Sequence, residues 1–489
     1  MRPGPVPEWV PFETLNRRSA MSDTKKKGST RRAFISNTGK AAAAVTTLGG
    51  MAVPLVHAAE TNTIQIALIG CGGRGTGAAI NALGTKHGPV KLVAMADVFE
   101  SRLQGAVDQI KRRFPATQFD VPKDRQFIGF DAYQKAIDSL KPGDIAIFTT
   151  PLAFRWVHFT YAIKKGVHVF MEKPLTADGP TSRRMLELAK EATAKNLKVG
   201  VGLMSRHQRA LQEAQKRIAD GEIGEIINMR GYRMAGGDLA SFRSKKWPGT
   251  PSELLWQISR FHSFLWASGG AFNDYYIHIV DHLCWMKGSW PVKAQAVGGR
   301  QYRGDYVDQN FDSYGVEYTF ADGATLFFDG RCMDGAEALY SSHAHGSKGM
   351  AILSAHGDCG LPSSTYTTQK PDGTKKIWEA KVALDQRDPY QNEWNDLIEA
   401  IRNDKPYSEV DYGVYASLTG TLGRVAAHTG KEWTMDQVLK SNYELAPGID
   451  KWTMDSPPPV TAGADGRYPV PEPGIVTDRE YRGLVSKEV

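Results

Sequence analysis

Lys173 follows the apolar run Val167-His168-Val169-Phe170-Met171 and precedes Pro174. Read as a buried strand, that run carries the ammonium to a strand's carboxyl end, where open α/β sheets gather their ligands. The alternative is a surface lysine ahead of a proline turn. Further along, Asp274, His278 and Asp281 share a sector of about 60° when wound at about 100° per residue. Ile277, Val280 and Cys284 occupy the adjoining side, as in a helix partly buried against a core. A carboxylate four residues from an imidazole can fix its tautomer and raise its basicity. His278 would then accept a hydroxyl proton while hydride leaves the same carbon, with Lys173 stabilising charge on the oxygen and Asp274 orienting the pair. Taken alone, the same helix reads better as one satisfied histidine and two solvated acids, and it is Lys173 at a strand end of the cofactor domain that favours the catalytic reading. His278 and His282 also have the i, i+4 spacing of zinc-binding helices, with Asp274, His343 and His345 as further ligands. No glutamate base accompanies them and His282 turns about 40° further from Asp274, so no metal is expected.

Those side chains need a framework to aim them, and the chain supplies a second pattern that describes one. The run Ile64-Gln65-Ile66-Ala67-Leu68-Ile69 reads as a buried parallel strand and leads into Gly70-Cys71-Gly72-Gly73-Arg74-Gly75 and a helix-compatible stretch to Leu83. Gly70 suits a tight turn, Gly72 a close approach of phosphate to backbone, and Gly75 the packing of helix on strand, with Gly73 and Arg74 counted among the cofactor-binding residues of the loop. A second strand, Lys91 to Ala96, ends at Asp97, placed to hold the ribose hydroxyls of a dinucleotide. A carboxylate there repels a 2′-phosphate, which favours NAD over NADP, although Arg74 and Arg102 soften that preference and leave NADP open. Two further strands end at Thr150-Pro151 and at Glu172-Lys173, and both ends are expected to face the nicotinamide.

With the glycine loop upstream, Glu172-Lys173-Pro174 makes the chain resemble the Gfo/Idh/MocA oxidoreductases. The block Gly269-Gly270-Ala271-Phe272-Asn273-Asp274, running on to Asp281, resembles that family's Gly-Gly segment and catalytic helix. Arg206, the turn Asp220 to Gly224 and Gly346-Ser347-Lys348-Gly349 are similar to further landmarks, and the likeness covers roughly residues 63 to 435. It implies an α/β protein: an N-terminal Rossmann dinucleotide-binding domain followed by an α/β domain with a large, mainly antiparallel open sheet that often forms oligomer contacts. It further implies that Lys173, Asp274 and His278 are the catalytic lysine, aspartate and histidine. Arg155 stands where many members carry histidine.

Between Gly231 and Gly269 aromatic and long polar residues crowd together, among them Asp238, Trp247, Trp256 and His262. Ring faces set against C–H surfaces, with polar groups on hydroxyls, suit a sugar or cyclitol; a packed loop of core tryptophans is the other reading. Arg206, Trp247, His262 and Asp281 are the candidate substrate contacts. Val292 to Tyr302, Tyr314 to Phe320, Ala324 to Arg331 and Met350 to Ser354 read as strands, and 388–402 and 413–428 as helices.

Ahead of all this, Thr30-Arg31-Arg32-Ala33-Phe34-Ile35 resembles a twin-arginine export signal, followed by an Ala-rich run and small residues ending at Ala58. The expected divisions are a leader over 1–58, the Rossmann domain over 61–183, the substrate and oligomerisation domain over 184–455 and an extended Pro/Gly-rich tail over 456–489. The chain has 489 residues and a formal charge of +7, of which the leader holds +6. The near-neutral remainder removes the electrostatic case for nucleic acid, and no apolar run has the ~20 residues of a membrane span, so no stable membrane anchor is expected. Cys71, Cys284, Cys332 and Cys359 are too scattered for a disulfide framework and read as free thiols.

The combined expectation is an exported, periplasmic, homo-oligomeric oxidoreductase with tightly held NAD, working on a secondary alcohol of a sugar or cyclitol. Its partners would be that substrate and the twin-arginine export machinery. Redox-neutral glycoside cleavage or epimerisation through a transient keto sugar, and non-catalytic sugar or nucleotide binding, are the rival readings.

Overall fold

A computed structural model describes residues 62–235, 242–301, 303–355 and 363–475. The leader, Asp238, Tyr302, Cys359 and the tail beyond 475 lie outside the described residues.

Six parallel strands make the first sheet: β1 (Ile64–Ile69), β2 (Val90–Asp97), β3 (Gln126–Ile128), β4 (Ile145–Phe148), β5 (His168–Met171) and β6 (Val199–Val201), in the order β3-β2-β1-β4-β5-β6. Apolar residues continue along β1, β4 and β5 because both faces are covered. The connections are α1 (Gly73–Leu83), α2 (Glu100–Arg113), α3 (Ala132–Asp138), α4 (Arg155–Lys165) and α5 (Gly179–Ala194). The order reverses between β1 and β4, which opens a crevice at their carboxyl ends. The domain boundary expected at 183 falls inside α5, and the sheet takes in β6 beyond it.

The second sheet has nine strands. After α6 (Arg209–Ala219) comes β7 (Ile226–Ala235); a segment with α7 (Glu253–Ser259), α8 (Leu265–Ser268) and α9 (Ile277–Lys287) then leads to β8 (Lys293–Gly299), β9 (Ser313–Thr319) and β10 (Thr325–Cys332). β11 (Leu339–Gly346), β12 (Met350–Ser354), β13 (Ser364–Tyr366), β14 (Lys376–Glu379) and β15 (Trp433–Thr434) complete it, in the order β14-β13-β12-β11-β7-β10-β9-β8-β15. Among the described strands of this second sheet only β7 and β10 pair in parallel. One face packs against α9 and α11 (Val410–Thr429), burying Ile279, Leu283, Leu326 and Leu422. Gly231 on β7 is held without a side chain because a Cβ there would come within 2.5 Å of Ile279. The opposite face leaves Ile227, Val297 and Phe327 exposed.

The chain crosses back once more. Helix α10 (Pro389–Arg402) buries Trp394, Leu397, Ile398 and Ile401 in one cluster with Ile64, Ile66 and Leu68 of β1 and with α1 and α2. The residues before 475 fold onto their own chain: Tyr468 stacks on Trp256 and donates to Glu253. Cys71, Cys284 and Cys332 are buried free thiols. No helix among the described residues is long and apolar enough to cross a membrane.

Candidate active site

The glycine loop closes around β1 and β4. Gly70 has φ +98°, a left-handed conformation that only glycine adopts at little cost. A Cβ on Gly75 would lie 2.0 Å from the Gly70 carbonyl oxygen, so this glycine is required for α1 to sit on the strand. Gly72 and Gly73 differ in kind, since a Cβ on either meets no atom within 4 Å. Their backbone borders a cavity of about 780 Å³ at the N-terminus of α1. The Asp97 carboxylate accepts from the Cys71 N–H at 2.6 Å and the Phe99 N–H at 2.9 Å; burial pushes its pKa up while those donors pull it back. Across the mouth, Arg102 donates to the Ser259 carbonyl at 3.0 Å. Arg74 pairs with Glu172 at 3.0 Å and lies over the Tyr390 ring.

This lining fits a dinucleotide. Open backbone and a helix N-terminus suit a pyrophosphate, and the Asp97 carboxylate at the end of β2 suits ribose hydroxyls. Gly70, Gly72, Gly73, Arg74, Gly75, Asp97, Thr150, Pro151, Glu172 and Lys173 all border the one cavity. Thr149, just before them, donates from Oγ1 to the Gly70 carbonyl at 2.6 Å and ties β4 to the loop.

The deep end of the cavity collects the acid–base groups. Lys173 Nζ donates to the main-chain oxygen of Asp274 at 2.6 Å and lies 3.6 Å from its Oδ1. His262 Nδ1 sits 2.8 Å from Asp274 Oδ2. Burial works to raise the Asp274 pKa, but Lys173, His262 and His278 together hold it well below the usual carboxylate range. An ionised carboxylate only accepts, so His262 carries its proton on Nδ1. His278 borders the same space and is kept neutral, first by burial and then by the charges of Lys173 and Arg233.

The expectation that Asp274 fixes the His278 tautomer is corrected by this arrangement: the Asp274 carboxylate hydrogen-bonds to His262, and His278 Nδ1 is buried without a partner. The cause is local. Residues Phe272–Tyr276 form one π-helical turn before α9, and the wider turn breaks the i, i+4 stacking that a regular α-helix provides.

The reading of Arg206, Asp281 and Trp247 as substrate contacts is also corrected. Arg206 grips Asp281 through Nε and Nη2 at 2.8–3.2 Å, under the Tyr412 ring, outside the cavity. Asp281, itself fully buried, lies on the His278 side of α9 but turns to Arg206. Trp247 donates its indole N–H to the Pro251 carbonyl and also lies off the cavity. His282 is bonded to Ser342 through Nε2 at 2.8 Å, and among the described residues no cluster of three His, Cys, Asp or Glu is arranged to hold a metal.

Of the other lining residues, Arg155 stood out in sequence only as a departure from the family pattern, and Arg233, Tyr275 and Tyr340 carried no readable signal. Arg155 is buried, donates from Nη1 to the Phe148 carbonyl at 2.6 Å and is pulled down to about 10 by burial. Arg233, Tyr275 and Tyr340 form one wall. Tyr340 comes from β11, directly opposite Arg233 in register, a pairing visible only once the sheet is assembled.

Known proteins share this fold. Residues 64–203 match the oxidoreductase family model with an NAD-binding Rossmann fold, and 211–352 match the GFO/IDH/MocA C-terminal domain, together more than half of the chain. The chain belongs to the Gfo/Idh/MocA oxidoreductase family. Among its relatives, scyllo-inositol 2-dehydrogenase (NAD(+)) of Bacillus subtilis is 27% identical over 51% of this chain and 61% of its own length. The chain therefore spans less than two thirds of that relative. A 1,5-anhydro-D-fructose reductase of Ensifer adhaerens is 27% identical over 55% of this chain and 73% of that protein. The fold is shared with a crystal structure of scyllo-inositol dehydrogenase from Lactobacillus casei with bound NAD(H) and scyllo-inositol, at TM-score 0.56 and 20% identity, covering 77% of this chain and 100% of that one. An aldose-aldose oxidoreductase from Caulobacter crescentus, complexed with glycerol, aligns at TM-score 0.57 and 17% identity over 76% of this chain and 100% of that one. This family membership accounts for the paired sheets and the shared crevice.

Proposed function

We propose that this Gfo/Idh/MocA protein is an NAD-dependent oxidoreductase that interconverts a secondary alcohol and a ketone on a sugar or cyclitol. The observation that carries this reading is the meeting of Lys173, Asp274 and His278 in the cavity that the Gly70–Gly75 loop opens onto. A nicotinamide dinucleotide bound along that loop supplies the hydride acceptor or donor. The protein's own part is proton movement and positioning. Lys173, fixed by the Asp274 main-chain oxygen, hydrogen-bonds the reacting oxygen and offsets its negative charge. Neutral His278 takes the hydroxyl proton. Asp274 keeps its charge beside Lys173 and orders His262 along the substrate's edge.

The test is direct: purified protein is given NAD with myo-inositol, scyllo-inositol, glucose, 1,5-anhydroglucitol, glucuronate and gluconate, and nicotinamide reduction is followed by absorbance. Reduction with at least one of them, lost in Lys173→Met, is the expected result; a silent protein that holds NAD overturns it.

The reading extends to location and assembly. The Arg31-Arg32 pattern supports twin-arginine export to the periplasm, where the dinucleotide would have to stay bound to be useful. A reporter fused behind residues 1–58 should be exported, and Arg31→Lys with Arg32→Lys should hold it back. Exposed Ile227, Val297 and Phe327 on the open sheet face support a homo-oligomer, which light scattering would measure.

A further inference from the structure

Arg233 is held in an unusual way. Its guanidinium carbon lies 3.7 Å from the centroid of the Tyr340 ring and 4.1 Å from that of Tyr275. The three side chains come from β11, β7 and the π turn before α9, and all three border the cavity beside His278. Each of the other cations lining this space has a carboxylate or carbonyl partner in the protein, Arg74 in Glu172, Arg102 in the Ser259 carbonyl, Arg155 in the Phe148 carbonyl and Lys173 in Asp274, although Nε and Nη2 of Arg74 and Nε of Arg155 make no hydrogen bond. Arg233 has no carboxylate or carbonyl within bonding distance among the described residues, and its Nε is without a hydrogen-bond partner.

With two rings this close to its central carbon, the guanidinium is left to bond through its N–H edge. That edge matches a planar carboxylate, which it meets with paired N–H donors. Ring faces help to hold the cation in place, but they do not satisfy its N–H groups, and an unsatisfied buried donor is costly unless a ligand supplies the acceptor. Arg233 is also close enough to His278 for its charge to act on that imidazole, in the cavity both residues line.

We infer that Arg233, clamped by Tyr275 and Tyr340, is the recognition point for a carboxylate on the substrate, so that the preferred class is a sugar acid. This rests on the oxidoreductase reading above and narrows it. A single cation between aromatic walls suits a carboxylate monoanion better than a phosphate dianion, for which a second cation would be expected.

Initial rates with NAD are measured on glucuronate and gluconate, on the neutral counterparts glucose and myo-inositol, and on glucose 6-phosphate. A charge-assisted pair predicts kcat/KM for the carboxylates about tenfold or more above the neutral compounds, shrinking as salt is raised. Arg233→Gln should remove that preference mainly through KM, and Arg233→Lys should restore only part of it, because an ammonium lacks the planar fork. Should Arg233→Gln fail to fold, thermal stabilisation of the unaltered protein by glucuronate but not by glucose carries the test. Equal kcat/KM for glucuronate and glucose overturns the inference and leaves the oxidoreductase reading standing. Preference for glucose 6-phosphate over glucuronate overturns it too, as does an Arg233→Gln loss in kcat that is the same for acids and neutral sugars. Stabilisation by glucuronate without oxidation of any compound has the opposite meaning: the acid subsite stands and the oxidoreductase reading fails.

Discussion

His262 Nδ1 lies 2.8 Å from Asp274 Oδ2, and this contact, rather than one between Asp274 and His278, is the carboxylate–imidazole pair of the site. The same aspartate anchors Lys173 through its main-chain oxygen, so one residue holds two functional side chains by chemically different atoms.

Asp274→Asn separates these roles. Asparagine keeps an acceptor for His262 and leaves the main-chain oxygen for Lys173, but it removes the buried charge. We expect kcat to fall about 100-fold, with thermal stability and circular dichroism little changed. A rate within about threefold of the unaltered enzyme would show that the charge does not matter.

His278 sets the pH behaviour. Burial, with Lys173 and Arg233 nearby, depresses its pKa well below the ordinary 6.5. Above pH 6.5 the group is neutral folded or unfolded. As pH falls from there toward the folded value, the unfolded chain binds the proton first and this contribution to stability is lost. The base meanwhile stays deprotonated in the folded enzyme. kcat/KM should therefore remain level as pH drops through 6.5 while Tm falls over the same range, more steeply than in His278→Asn. An activity limb centred on 6.5 would place the base elsewhere.

The two kinds of glycine in the loop should part company on substitution. Gly72 has φ −72°, and a methyl group there points into open space. Gly72→Ala should fold normally and bind NAD at least tenfold more weakly by calorimetric titration, because the methyl group occupies the place of a phosphate. Gly75→Ala, driven against the Gly70 carbonyl, should lower Tm in the absence of any dinucleotide.

Arg206→Met tests the reassignment of the Arg206–Asp281 pair. It leaves a fully buried carboxylate without its partner, and the expected cost is about 3–5 kcal/mol of stability in urea unfolding. The enzyme that remains folded should keep its KM for sugar. A large KM change at unaltered stability would return Arg206 to the substrate site.

What the sequence disclosed follows the range of the forces involved. Strand β1, the glycine loop and Asp97 were legible because they are neighbours in the chain and their order is fixed by one turn and one helix. Lys173 was legible from the strand it ends. The role of His262 was not, since the π turn that frees Asp274 to meet it leaves no mark in a pattern read at α-helical pitch. Arg206 and Asp281 look like site residues in sequence because charge is visible there and burial is not. Arg233 was passed over because its clamp is assembled from three separate elements.

Helix α10 has a consequence for the order in which the protein is made. Trp394 fills the core under β1, and Tyr390 covers Arg74 of the glycine loop, although some 300 residues separate them along the chain. A ribosome that has finished β6 has produced every strand of the nucleotide domain without the helix that covers one of its faces. The dinucleotide-binding half is thus first in sequence but among the last to be completed, and a nascent chain arrested before residue 389 should remain unable to retain the cofactor.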